Sequence, residues 1–382
     1  VRTMPSLNEL LSDKKKVTDI QELSINDILP GARISNAKVK NAESKTFFIS
    51  GAGGSIGAEI TRQILSSNPR IIILFELSEY NLFNIERECL AIKDSKNLDT
   101  EIIPILGDIR DRSNLEHVFQ KFSIDQIYHA AAYKHVPIVE NENNISKAAE
   151  NNILGTYNLA NSAVKHGVHS FVMISTDKAV RPTNIMGATK RFAEIIIQSI
   201  NSESSNTKFS MVRFGNVINS SGSVIPLFID QISRGGPITV THKDVMRYFM
   251  TIPEASNLVL QAGEMSSGGE VFILDMGEQV KIFDLARKLI HLSGRNHADG
   301  DEVDGIEIVE VGLRPGEKMY EELLISGSEL KTENPKIYKA TESFIEPKIL
   351  KPLLIELKES IVSFDNKKIL TLLSQHVEGF NR

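Results

Sequence analysis

Four consecutive side chains, Ser175, Thr176, Asp177 and Lys178, are of types that could move protons. Hydroxyls can hold a substrate oxygen, and a carboxyl beside an amine can take a proton from one atom and return it to another. Met186 and Lys190 follow, four residues apart, which puts both on one side of a helix. Methionine takes no proton, and Lys178 would need a lowered pKa to act as a base. Taken alone, Asp-Lys after a strand is an ordinary turn and a helical lysine an ordinary solvated charge. The surrounding elements must decide between these readings and chemistry.

A second group of residues suits a dinucleotide. Gly51-Ala52-Gly53-Gly54-Ser55-Ile56-Gly57 follows an apolar run and opens a helical one. Gly51 permits a tight turn, Gly54 lets backbone approach a pyrophosphate, and Gly57 lets helix pack closely on strand. The helix start at Ser55 and Ile56 offers N–H groups to phosphate. Glu76 stands about twenty residues after Gly57, where an acid can accept bonds from the adenosine ribose and repel a 2′-phosphate. This predicts NAD over NADP as cofactor. Asp108, in Gly107-Asp108-Ile109, could bond the adenine amino group, and Ala130-Ala131 would leave room for cofactor against the sheet. No metal is expected.

These residues sit at the ends of regularly alternating elements. Buried strands are predicted at 46–50, 71–76, 101–107, 126–130, 171–175 and 209–214, with helices over 58–65, 113–122, 148–166 and 187–200 between them. Such alternation implies βαβ units and a Rossmann-type, doubly wound parallel sheet. After Gly215 the pattern breaks into Gly, Ser and Pro, so 216–340 reads as a smaller C-terminal substrate-binding domain. Residues 1–45 read as an N-terminal extension with short helical pieces such as 7–11, and 341–382 as an amphipathic helical tail.

The net charge of −6 argues against sequence-independent nucleic-acid binding. The one cysteine, Cys89, excludes an internal disulfide and fits a cytoplasmic setting. It lies in a helical pattern and is expected to be buried and inert. No apolar run approaches the roughly 20 residues of a membrane span. Val1 to Ser6 reads as a sequence already under way, so the chain is expected to be a catalytic region cut from a longer protein.

Ser175 and Lys190 match a short-chain dehydrogenase active site whose tyrosine is replaced by Met186. Together with Ala131-Ala132-Tyr133-Lys134-His135-Val136-Pro137, Ser175-Thr176-Asp177-Lys178-Ala179, Arg213-Phe214-Gly215-Asn216-Val217, Met246-Arg247-Tyr248-Phe249-Met250 and Arg314-Pro315-Gly316-Glu317-Lys318, this resembles the extended short-chain dehydrogenase/reductases over roughly residues 45–330. Within them it resembles the UDP-N-acetylglucosamine 4,6-dehydratases of bacterial glycan biosynthesis. Met186 is similar to the branch that retains configuration at C5 and belongs to larger proteins anchored in the bacterial inner membrane. There the catalytic domain faces the cytoplasm.

The resemblance implies a redox-neutral cycle with NAD held throughout. Lys190 would bond the nicotinamide ribose, and Ser175 or Thr176 the C4 oxygen. Asp177 would take the C4 hydroxyl proton and protonate the leaving C6 hydroxyl. Lys178 would act at C5. Lys134 and His135 would contact the sugar, while Asn216, Arg247, Arg314 and Glu317 would meet the UDP end. A homo-oligomer is expected, with a dimer built on helices 148–166 and 187–200. Two other readings stay open: a UDP-sugar 4-epimerase, and an inactive NAD-binding regulatory module, supported by Met186 alone.

Overall fold

The computed structural model describes residues 39–204, 206–218, 220, 222–298, 305–323 and 329–382, and two short strands at Arg2–Thr3 and Gln21–Glu22. The helical piece expected at 7–11 lies outside the described residues. The chain divides into two compact units. One holds 35–215, 255–275 and 322–382; the other includes 216–254 and 276–321.

The larger unit is built on a nine-stranded sheet. Its strands are β1 (Thr46–Ser50), β2 (Ile71–Glu76), β3 (Glu101–Leu106), β4 (Gln126–His129), β5 (Ser170–Ile174), β6 (Lys208–Arg213), β7 (Val271–Leu274), β8 (Leu330–Lys331) and β9 (Ile337–Ala340). The order is β8-β9-β7-β6-β5-β4-β1-β2-β3. Every pair from β3 to β7 is parallel, while β9 runs antiparallel to β7 and β8 to β9. This is the doubly wound fold expected from the alternation, and six predicted strands fall within a residue of their observed bounds. The order reverses between β1 and β4, the crevice where such sheets bind ligands at their carboxyl ends.

Central strands are covered on both faces, which is why they read as unbroken apolar runs. Helices α1 (Ser55–Leu65), α2 (Glu79–Lys96), α3 (Arg112–Lys121), α4 (Thr156–Lys165) and α5 (Ile185–Glu203) follow the strands. One apolar cluster gathers Phe48, Phe75, Phe119, Phe171 and Phe209 with α3 and α4. Cys89, on α2, is fully buried, and burial pushes its thiol up to about 12, so it carries no thiolate at neutral pH.

A second cluster lies on the other face of α5, which gives Ala193 and Ile197 to the first. Every residue from Ile185 to Ser199 is buried. The apolar face of α5, through Ile185, Met186, Ala188, Phe192 and Ile196, packs with Ala148, Ala149 and Ile153. Two C-terminal helices, α6 (Pro347–Val362) and α7 (Asn366–His376), complete the cluster through Leu353, Leu357, Ile369 and Leu373. The amphipathic tail is therefore helical as expected, and its partner is this chain's own α5.

The smaller unit has its own core, with Ile225, Phe228, Ile238, Leu285 and Leu289 among its buried residues. A parallel two-stranded pairing sets Asn216 opposite Phe249 and Val217 opposite Met250. Among the described residues no helix is long and apolar enough to cross a membrane.

Candidate active site

The glycine turn after β1 is shaped by contacts that tolerate no side chain. Gly51 has φ +69° and lies against the backbone of Ala130 and Ala131, while a Cβ on Gly57 would sit 2.0 Å from the Gly51 carbonyl oxygen. Helix α1 can therefore start directly over the end of β1, with Ser55 and Ile56 in its first turn, where N–H groups have no acceptor within the helix. Glu76, at the end of β2, reaches back over this turn. One carboxylate oxygen accepts from the Gly53 N–H at 3.0 Å and the other from the Ser78 N–H at 3.0 Å. The glycine spacing 51–54–57 passes over Gly53, yet its N–H is what fixes the acid. The cradle and the acid fit a dinucleotide.

Asp108 and Ile109 follow β3. The Asp108 carboxylate is bonded to the Arg110 guanidinium and backbone N–H. Burial pushes its pKa up, but the Arg110 bonds outweigh this and hold it below the usual range. Ile109 is buried in the core cluster, against Gly155.

The strongest clustering of reactive groups is the turn after β5. The Thr176 hydroxyl donates to Oδ1 of Asp177 at 2.9 Å, and the Lys178 ammonium donates to the same oxygen at 3.0 Å. Asp177 is 1% exposed, and its other oxygen, Oδ2, is buried with no hydrogen-bond partner among the described residues. An unsatisfied buried acceptor costs about 1–3 kcal/mol. Helix α5 holds this turn from behind: a Cβ on Gly187 would stand 2.1 Å from the Lys178 carbonyl oxygen, so only glycine lets the helix start there. Asn184 caps that start by accepting from the Gly187 N–H.

Lys190 is buried on α5 and donates to the carbonyl of Ile174, the residue before Ser175, at 2.7 Å. Burial lowers its pKa to about 8, with the Glu194 carboxylate opposing the shift. Met186, one turn earlier, is 3% exposed in the apolar cluster. Ser175 differs from its neighbours. Its hydroxyl donates to buried Glu194, not to Asp177 or Lys178.

Lys134 and His135 follow β4. The pKa of Lys134 is lowered, first by burial of its ammonium and then by the charge of Lys178, which brings it electrostatically into the same site. His135 is lowered by burial and then by Lys134. The segment is gripped by Asn152, which accepts from the Tyr133 N–H at 2.8 Å and donates to the Tyr133 carbonyl at 3.0 Å and to Thr189 at 3.0 Å. Asn152 lies in a π-helical stretch, Glu150–Gly155, a distortion frequent near functional sites. Behind it, His129 bridges Ser50 at 2.7 Å and Thr156 at 2.9 Å. Burial, then the charge of Lys190, push its pKa down to about 3, so it is neutral.

The sequence reading missed Asn152, His129 and Glu194. Glu194 alone had a local signal: it stands one helical turn after Lys190.

In the smaller unit Glu317 is a hub. One of its oxygens accepts from Arg247 at 2.9 Å and Thr241 at 3.0 Å, and the other from the Arg314 N–H at 3.2 Å. Arg247 is buried, Arg314 exposed, and Asn216 partly buried on the strand beside Phe249. The structure thus brings Arg247, Arg314 and Glu317 together.

Residues 47–342 match a family model described as "Polysaccharide biosynthesis protein". The chain is 44% identical, over 97% of its length, to "Capsular polysaccharide biosynthesis protein CapD" of Staphylococcus aureus, and covers 60% of that protein. It is 46% identical, over 85% of its length, to "Probable polysaccharide biosynthesis protein EpsC" of Bacillus subtilis (strain 168), covering 53% of it. The chain therefore spans between half and two thirds of these relatives. Among solved structures, "X-ray structure of Pen from Bacillus thuringiensis" is 33% identical with a TM-score of 0.69, covering 83% of this chain and 99% of that one.

Proposed function

Given that the chain belongs to the polysaccharide biosynthesis protein family, we propose that it catalyses NAD-dependent 4,6-dehydration of UDP-N-acetylglucosamine with configuration retained at C5. The observation that carries this reading is the Thr176–Asp177–Lys178 cluster, where one carboxylate oxygen is tied to a hydroxyl and an ammonium while the other is buried without a partner.

The chemistry needs an acid–base pair that serves two adjoining steps. Asp177 takes the C4 hydroxyl proton, relayed by Thr176. Lys178, having first released its ammonium proton to solvent, takes as the neutral amine the C5 proton that the new C4 ketone acidifies, and Asp177 returns its proton to the C6 hydroxyl, which leaves as water. Lys178 then reprotonates C5 on the original face. NAD, held at the glycine turn and Glu76, supplies the hydride acceptor at C4 and the donor at C6. Lys190 orients the nicotinamide ribose and Lys134 the sugar. Arg247 and Arg314 suit the diphosphate through their forked donors, and Glu317 the uridine ribose.

Incubation with UDP-N-acetylglucosamine in D₂O, followed by NMR, tests the reading. The expected product is the 4-keto-6-deoxy sugar with deuterium at C5 and the D-configuration. An L-configured product would overturn the retaining assignment, and another intact UDP-sugar would point to the epimerase. Met186→Ala is expected to cost less than about tenfold in turnover, because a thioether in an apolar cluster contributes packing and no proton. A loss as large as that of Asp177→Asn, with folding intact, would assign the methionine a direct role.

Glu76→Ala is expected to weaken NAD binding by about tenfold or more and to narrow the preference over NADP, measured by calorimetry with both nucleotides. Tighter binding of NADP than NAD by the unaltered chain would refute the role of Glu76.

A further inference from the structure

Behind the reacting turn lies a closed square of four buried charges. Glu194 accepts from Arg213 through both carboxylate oxygens and from Arg191 at 3.1 Å. Glu342 accepts from Arg213 at 2.7 Å through each of its oxygens and pairs with Arg191 at 3.1 Å. All four side chains are 3% exposed or less, and two positive charges meet two negative ones. Such a square is a poor route to stability, because apolar groups of the same size commonly do as well. Its value lies in what it fixes. Ser175 donates its hydroxyl to Glu194, which links the square to the residue that opens the turn.

Burial would raise the pKa of Glu194, but Arg213, then Arg191 and the Ser175 hydroxyl, bring it down to about 2, so it stays ionised and keeps the Ser175 proton pointed inward. The Ser175 oxygen can then only accept from a ligand. Glu342 contributes from the opposite end of the sequence. It follows β9 and precedes α6, and its backbone carbonyl and that of Ser343 accept from Gln198 and Arg191 of α5.

We propose that Glu342 is a positioning residue for the reacting turn: by holding Arg213 and Arg191 against Glu194, it fixes the Ser175 hydroxyl as an acceptor for a sugar hydroxyl. This rests on the 4,6-dehydratase reading above. Without Glu342 the two arginines share one carboxylate, Glu194 is drawn toward them, and Ser175 is released to donate or rotate.

The test is Glu342→Gln, of equal size and without charge. Turnover of UDP-N-acetylglucosamine is expected to fall by about ten- to a hundredfold, the scale of a small misplacement of reacting groups, with KM changed less than about threefold. The kinetic isotope effect from deuterium at C4 should rise as hydride removal becomes limiting. Glu342→Asp, which restores the charge, should recover part of the rate. Should Glu342→Gln fold poorly, the pair Glu342→Gln with Arg191→Gln keeps the square neutral. It is expected to show the same loss, since Arg213 still lacks its second carboxylate.

Hydrogen exchange gives a measure independent of turnover. The Ser175 and Asp177 amides donate to Val212 and Phe214 carbonyls, and both should exchange faster in Glu342→Gln while Thr46–Ser50 keeps its protection. Wild-type turnover with unchanged exchange would overturn the proposal, as would a uniform loss of protection across the sheet. If the unaltered chain does not dehydrate the sugar, the dehydratase reading fails, and exchange at 175 and 177 still decides whether Glu342 holds the turn.

Discussion

Asp177→Asn is expected to abolish most dehydration, lowering turnover by about a hundred- to ten-thousandfold. The amide has the shape of the carboxyl and still offers an oxygen to Thr176 and Lys178, whose bonds to Oδ1 are 2.9 and 3.0 Å. It cannot take up a proton and give it back. Fold and UDP-sugar binding should survive, because the side chain is 1% exposed and its volume is unchanged. Turnover followed by chromatography, beside a thermal melt and a binding isotherm, separates the effects. Near-wild-type turnover would remove Asp177 from the mechanism.

Lys190→Met should move stability and activity in opposite directions. The lysine is buried, and that burial pulls its pKa to about 8, below the ordinary lysine value of 10.5. The folded chain therefore binds fewer protons at this site than the unfolded chain between about pH 8 and 10.5, and stability from this group rises with pH across that window. Below pH 8 the folded chain carries the full cost of a buried ammonium. Methionine removes that cost and the bond to the Ile174 carbonyl together. The expected net gain is about 1–3 kcal/mol at pH 7, shrinking toward zero by about pH 10.5, read from denaturant midpoints. Turnover should drop by about a hundredfold below pH 8, where the unaltered lysine is the ammonium that orients the nicotinamide ribose, and by less above it. A variant that is less stable than wild type at pH 7 and equally active would contradict both halves.

The sheet was legible because its strands are short apolar runs ended by glycine or a charged residue. Thr46–Ser50 stops at Gly51, and Ile71–Glu76 stops at an acid. Local order of that kind leaves a mark in sequence. The reacting turn was legible for the same reason, as Thr176, Asp177 and Lys178 are neighbours in the chain. What stayed hidden was long-range pairing. Nothing near Ser175 announces that its hydroxyl meets Glu194, or that Glu194 shares Arg213 with Glu342. Periodicity showed that 346–381 has an apolar face but not what covers it, and in the structure α6 and α7 lay that face against α5. Asn152 fell inside the helix read over 148–166, but helical spacing says nothing of its side chain gripping Tyr133, nineteen residues earlier.

The cover on α5 also sets an order of events in synthesis. Residues 46–203 are made well before 347–376, and at typical ribosomal speeds the gap is on the order of ten to thirty seconds. Through that interval Met186, Phe192 and Ile196 have no C-terminal helices to meet. The nascent unit thus passes through a stage with an uncovered helix face, an apolar surface that chaperones and aggregation both recognise. A chain stalled or cut before Pro347 would be held at that stage.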